Sequence, residues 1–181
     1  MKRLKKQSEL DHKYIESFCN WILGNYPTFP NYEDFKLNSN SHVNMPAYRV
    51  LGFYFDQLNI NIENEISKED FILKCKSLIK NYSSPRSWSK ELSCLDNVLD
   101  QTGLREDCDF TLVIYGNVDG VDAEKFYLDN KNQIDNFNED VEYFINNQKE
   151  VIGFCENFEV YSFNDIQINS LPEKIKLEDY I

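Results

Sequence analysis

Apolar positions in the first part of this 181-residue chain recur at helical spacing. Leu10, Tyr14, Phe18 and Ile22 lie four residues apart, and Gly24 follows as a C-terminal cap. PTFPNYEDFKLNSNSHVN, residues 27–44, holds two prolines and a Ser/Asn cluster and reads as a long loop. Pro46 suits the first turn of a helix whose buried face would be Ala47, Leu51, Tyr54, Phe55 and Leu58. SKED at 67–70 predicts a capping box, Ser67 capping and Asp70 reaching back. The helix behind it carries Phe71, Ile72, Cys75, Leu78, Ile79 and Tyr82 on one stripe. SSPRSW ends that helix and opens another through Trp88, Leu92, Leu95 and Leu99, closed by Thr102-Gly103. Residues 1–104 therefore predict a packed group of about four helices.

The pattern changes at Cys108. CDFTLVIYG is a short apolar run of β-formers bounded by acids and glycine, and predicts a strand. In GNVDGVDAE, Gly116 and Gly120 permit turn conformations, Asp119-Gly120 makes a turn, and Asp122 caps the next helix. Phe126, Asn130, Ile134, Phe137, Val141 and Phe144 keep helical spacing, with a break at DNFNED and Asn138 as a second cap. EVIGFCENFEVYSF reads as two short strands around a Glu-Asn turn, DIQIN extends the sheet, and LPEKIKLEDYI is a loop and tail. The fold class expected is α+β, a helix-rich N-terminal half packed with a small, mainly antiparallel sheet formed by the C-terminal half. One domain over 1–181 is expected, with a helical part to about 104, an acidic strand-helix-hairpin part over about 105–170, and a tail at 171–181.

Composition changes this picture in two ways. Thirteen Phe and eleven Tyr supply enough apolar surface for a real core, against any reading as a disordered chain. No run approaches the roughly 20 apolar residues of a membrane helix, and MKRLKK has no apolar stretch behind it, so no secretory signal is expected. Five cysteines, odd in number and with no CxxC, argue for reduced thiols, mostly buried, in a cytoplasm. Charge is more informative. Residues 1–104 hold 13 basic and 13 acidic side chains, and residues 105–181 hold 6 and 18, so the net charge of −12 falls wholly in the second part. Such an excess repels nucleic acid and anionic membranes, and speeds encounter with a basic protein.

Catalytic chemistry finds little support. With Gly120 at position 6 of an EF-hand loop, Tyr115 and Phe126 occupy the positions that need carboxylates, so that reading fails. An irregular divalent-metal site from Asp119, Asp122 and Glu124 is the weaker alternative. GNVDGVDAE matches no phosphate-binding loop and adds three acids where a phosphate would sit. The two histidines, His12 and His42, read as ordinary surface groups, and no nucleophile or metal motif accompanies them.

The expectation is accordingly a small acidic cytoplasmic protein that binds and neutralises a basic partner, foremost as an immunity protein against a bacterial nuclease-type toxin. Alternatives are a phage-type nucleic-acid mimic that inhibits a DNA- or RNA-binding protein, a carboxylate- or metal-dependent enzyme, and an adaptor whose acidity serves only solubility. The partner-binding residues expected are Asp119, Asp122, Glu124, Tyr127, Asp129, Asp135, Glu139, Asp140, Glu142 and Tyr143, acids that steer interleaved with tyrosines that anchor. No cofactor, metal, direct nucleic-acid contact or membrane contact is expected. The competing reading of the same residues is a solvated helix face.

Overall fold

The computed structural model describes residues 2–79 and 84–180, with side chains from His12 onward. In chain order the elements are α1 (Lys2–Ile22), α2 (Tyr32–Asn38), β1 (His42–Phe53), β2 (Glu65–Ser67), α3 (Lys68–Leu78), β3 (Arg86–Ser89), α4 (Leu95–Thr102), α5 (Leu104–Asp107) and β4 (Phe110–Asp122). They continue with α6 (Ala123–Asp129), α7 (Lys131–Phe137), α8 (Asp140–Gln148), β5 (Glu150–Phe154), β6 (Phe158–Phe163), β7 (Ile166–Gln167) and β8 (Lys174–Lys176). The class is α+β with antiparallel sheets.

β4 is the centre of the fold. Along one edge it pairs with the whole of β1, from His42 opposite Val121 to Phe53 opposite Phe110. Along the other edge, β5 covers 119–122 and β6 covers 112–116, so these two strands lie end to end and do not form a hairpin with each other. β3 pairs with β5 and meets β1 at a single position, Tyr48 opposite Ser89. The strands β1, β4, β5 and β3 thus run in a ring closed by one pair. β2 and β8 form a separate two-stranded sheet.

β1 overturns the helix expected after Pro46. Ala47, Leu51, Tyr54, Phe55 and Leu58 fit a helical stripe, but Val43, Met45, Ala47, Leu51 and Phe53 fit a period of two equally well. The second pattern prevails because that face meets Ile114 and Val118 of β4 in the core inside the strands. Pro46 is tolerated because β3 reaches β1 only at Tyr48, which leaves that edge unpaired around it among the described residues. SSPRSW likewise contributes β3, and the helix begins only at Leu95. The helix-rich first half therefore supplies two strands to the sheet.

Four apolar clusters hold the layers. Phe18 of α1, Phe35 of α2 and Phe126 of α6 interlock against Val121 and Ile152 at one end of β4. Phe110, Leu112 and Phe163 pack with Phe71 and Cys75 of α3 at the other end. α2 lies within the stretch expected to be a loop; its Tyr32 and Phe35 are buried. α3 starts as expected, with the Ser67 hydroxyl accepting from the Asp70 N–H, although the Asp70 carboxylate bonds to that hydroxyl instead of to the backbone. Tyr82 lies outside the described residues. The expected ends at Gly24 and Gly103 are present, both glycines having positive φ. The segment read as a tail is packed: Ile175 and Leu177 are buried, and β8 pairs with β2.

Candidate functional site

The region around Gly120 folds differently from the expected turn. β4 continues through Asp119-Gly120 to Asp122, paired on both edges. Gly120 faces Gly153, and a Cβ at position 120 would stand 2.3 Å from the Ile152 carbonyl oxygen. This glycine therefore serves close backbone approach, not a turn. Asp122 ends the strand and caps α6, its Oδ1 accepting from the N–H groups of Glu124 and Lys125.

The acids near this junction are matched by lysines. Lys90, which follows β3, donates to both oxygens of Asp122 at 3.0 Å and to Glu124 at 2.9 Å, while Lys149 donates to Glu124 at 2.8 Å. Lys149 and then Lys90 hold the Glu124 carboxyl below the usual glutamate range. Burial works against the charge on Lys90, but its bonds to Glu124 and Asp122 outweigh it and keep the pKa high. Asp119 points elsewhere, to Lys36 of α2 at 2.6 Å and His42 of β1 at 2.5 Å, and these two hold its pKa down. Asp119, Asp122 and Glu124 therefore do not converge as the alternative metal site required. Among the described residues, no three His, Cys, Asp or Glu side chains stand together in a way that would hold a metal ion.

A second group gathers α6, α7 and α8 around one ammonium. Lys131 bonds to the Tyr127 hydroxyl, to Asp135 at 3.1 Å and to Glu142 at 3.3 Å, and the Tyr127 hydroxyl donates to Asp135 at 3.0 Å. Burial, opposed by Lys131, raises the Tyr127 pKa, and the ring is only 3% exposed, so it is a core residue and not the exposed anchor expected.

Acids outside these networks include three on α6 and at the corner of α7 and α8. Asp129, Glu139 and Asp140 are exposed, and no ion pair reaches their carboxylates among the described residues. Glu142 and Tyr143 are exposed beside them. Leu128 (65% exposed), Phe137 (40%) and Tyr143 (63%) place large apolar groups among these acids. Asn138 positions the corner between α7 and α8, its Oδ1 accepting from the Asp140 N–H at 2.8 Å as expected of a cap. An unexpected break at Asn130 separates α6 from α7, where the Asn130 side chain bonds back to the Phe126 carbonyl.

Two polar residues, Lys36 and Glu150, are not singled out from sequence; Lys36 falls in the stretch expected to be a loop, and His42, read as an ordinary surface group, binds Asp119. Glu150 is 3% exposed at the start of β5, bonded to Trp21 and Ser87. An acid one strand period from Ile152, whose side chain is buried, was the available signal for Glu150. The described helices include none long and apolar enough to cross a membrane. Comparison with family models, characterised proteins and solved structures finds no match.

Proposed function

We propose that this chain is a cytoplasmic binding protein that docks a basic protein partner on the corner of α7 and α8, and that the partner is a nuclease-type toxin it neutralises. The observation that carries the reading is the coincidence of exposed Phe137 and Tyr143 with the exposed acids Glu139, Asp140 and Glu142 within seven residues of chain. Apolar anchors ringed by one sign of charge give both affinity and steering towards the opposite charge. Of the acids expected to take part, Asp119, Asp122, Glu124, Asp135 and Glu142 are bonded to lysines, and Asp129, Glu139 and Asp140 remain for a partner. The lysine-bound state of the first three also favours binding over carboxylate catalysis, since a general acid or base must be able to exchange its proton.

The test uses the intact protein as bait in its source cells at low and high salt. A basic protein should be retained at low salt by the wild type and lost by a variant carrying Glu139→Lys, Asp140→Lys and Tyr143→Ala. The wild type should also protect cells that express the captured protein, and the variant should not. Equal retention and protection by the variant would remove the corner from the account.

A further inference from the structure

One face of the β1–β4 pair is covered at both ends and bare in the middle. Val121 lies in the cluster of α1, α2 and α6, and Val50 and Val113 lie under Leu95 and Leu99 of α4. Side chains alternate along a strand, so Tyr115, Asn117 and Asp119 share that face with Val113 and Val121. Opposite them on β1 stand Tyr48, Pro46 and Asn44. Asp119 is also opposite Phe154 of β5, so Asn44, Asp119 and Phe154 make one row across three strands. The connection from β5 to β6 adds Glu156 and Asn157, and these residues with Asn117 line a cavity of about 420 Å³. This volume is in the range of small-ligand sites.

The lining is unusual for strands. Asparagine is depleted in strands because its side chain competes for backbone bonds, yet Asn44 and Asn117 lie within β1 and β4, both exposed. Among the described residues, the carboxamides of Asn44, Asn117 and Asn157 and the carboxylate of Glu156 make no hydrogen bond. Asp119 is held by Lys36 and His42, and no lysine or arginine lines the cavity among the described residues. A phosphate or carboxylate would therefore meet two acids and no cation. A hard divalent cation would find only Glu156 as an uncommitted carboxylate among the described lining residues. Carboxamides both donate and accept, which matches hydroxyls that do the same. Phe154 on the wall, and Tyr115 (38% exposed) beside Asn117 with the Tyr48 ring 5.2 Å from it, supply aromatic surface for the apolar face of a sugar ring. We propose that this face binds a neutral oligosaccharide, one sugar residue held by the carboxamides in the cavity and the next laid on Tyr115.

A glycan array carrying neutral, sialylated and sulfated oligosaccharides tests the class with the intact protein. Binding confined to neutral oligosaccharides is expected; no bound glycan, or binding confined to acidic ones, would overturn the proposal. The neutral oligosaccharide retained is then titrated by isothermal calorimetry against wild type and variants. Asn44→Thr with Asn117→Thr removes two carboxamides and places a better strand former at each position. Its fold should be kept while affinity falls about tenfold or more, the worth of one or two hydrogen bonds. Tyr115→Ala should weaken binding about fivefold through lost ring contact, and decides the matter if the asparagine variant does not fold by circular dichroism. Glu139→Lys with Asp140→Lys should bind the oligosaccharide as wild type does, which separates this site from the corner of α7 and α8. Unchanged affinity in the folded asparagine or tyrosine variant, or an equal loss in the corner variant, would overturn the proposal.

Discussion

Asp122 and Glu124 share Lys90 and Lys149 at 2.8–3.0 Å, whereas Glu139 and Asp140, in the same acidic half, have no cation against them among the described residues. The first two acids lie at a strand–helix junction that β3 and the end of α8 approach, so lysines from distant sequence reach them. The other two open a helix at an outer corner, where Lys131 of α7 pairs with Glu142 and Asp135 and not with them. Net charge along a stretch of sequence therefore does not measure charge available to a partner; the packing of other elements over it does. One set of acids is tied into the fold by lysines and the other faces solvent.

The comparison can be broken most strongly at Gly120, which keeps β4 straight up to Asp122. Gly120→Ala puts a Cβ against the backbone of β5 and should cost about 3 kcal/mol in chemical denaturation, at the upper end for overpacking. A loss below about 1 kcal/mol would show that β5 can retreat from the strand. Next in size, Lys90→Ala leaves two partly buried carboxylates short of a cation and should cost about 2 kcal/mol, less than a fully buried pair. A neutral outcome would mean that Asp122 and Glu124 are as free as the corner acids, and the contrast would disappear.

Glu124 and Glu150 sharpen the contrast through pH because their shifts have opposite signs. Glu124 is held below its ordinary 4.5, so its stabilisation is present above that pH and is lost as pH falls through the lowered value. Glu150 is held above 4.5, so its contribution is present below that pH and is lost as pH rises through the raised value. Urea titrations across this window should show the deficit of Glu124→Gln shrinking towards acid. Glu150→Leu should improve relative to wild type as pH rises above about 4.5. Parallel pH profiles for the two variants would contradict the assignment. The smallest effect is expected at the corner, where Glu139→Lys and Asp140→Lys should each change stability by no more than about 0.5 kcal/mol.

Some of this was legible in the sequence and some was not, for reasons that particular residues make plain. The Ser67 and Asp122 caps, the end at Gly103 and the strand from Phe110 depend on local chemistry, and local chemistry is what a sequence displays. β1 was not legible because its apolar positions fit both periods, and only β4 on its flank selects the extended form. The role of Gly120 was hidden for a similar reason: Asp-Gly signals a turn unless another backbone, here Gly153, must pass close by. Of the candidate site, the identity of the acids could be read, but their lysine partners at positions 36, 90 and 149 are brought in by tertiary packing.

The most direct test of the account measures the affinity of the captured basic partner for three forms of the protein at two salt concentrations. These are wild type, a corner variant with Glu139→Lys and Asp140→Lys, and a junction variant with Glu124→Gln. The account predicts a loss of about a hundredfold for the corner variant, in keeping with close interfacial charge pairs. It also predicts wild-type affinity that falls with salt, and near-normal affinity for the junction variant while it remains folded. An unchanged affinity for the corner variant, or a loss confined to the junction variant, would contradict it.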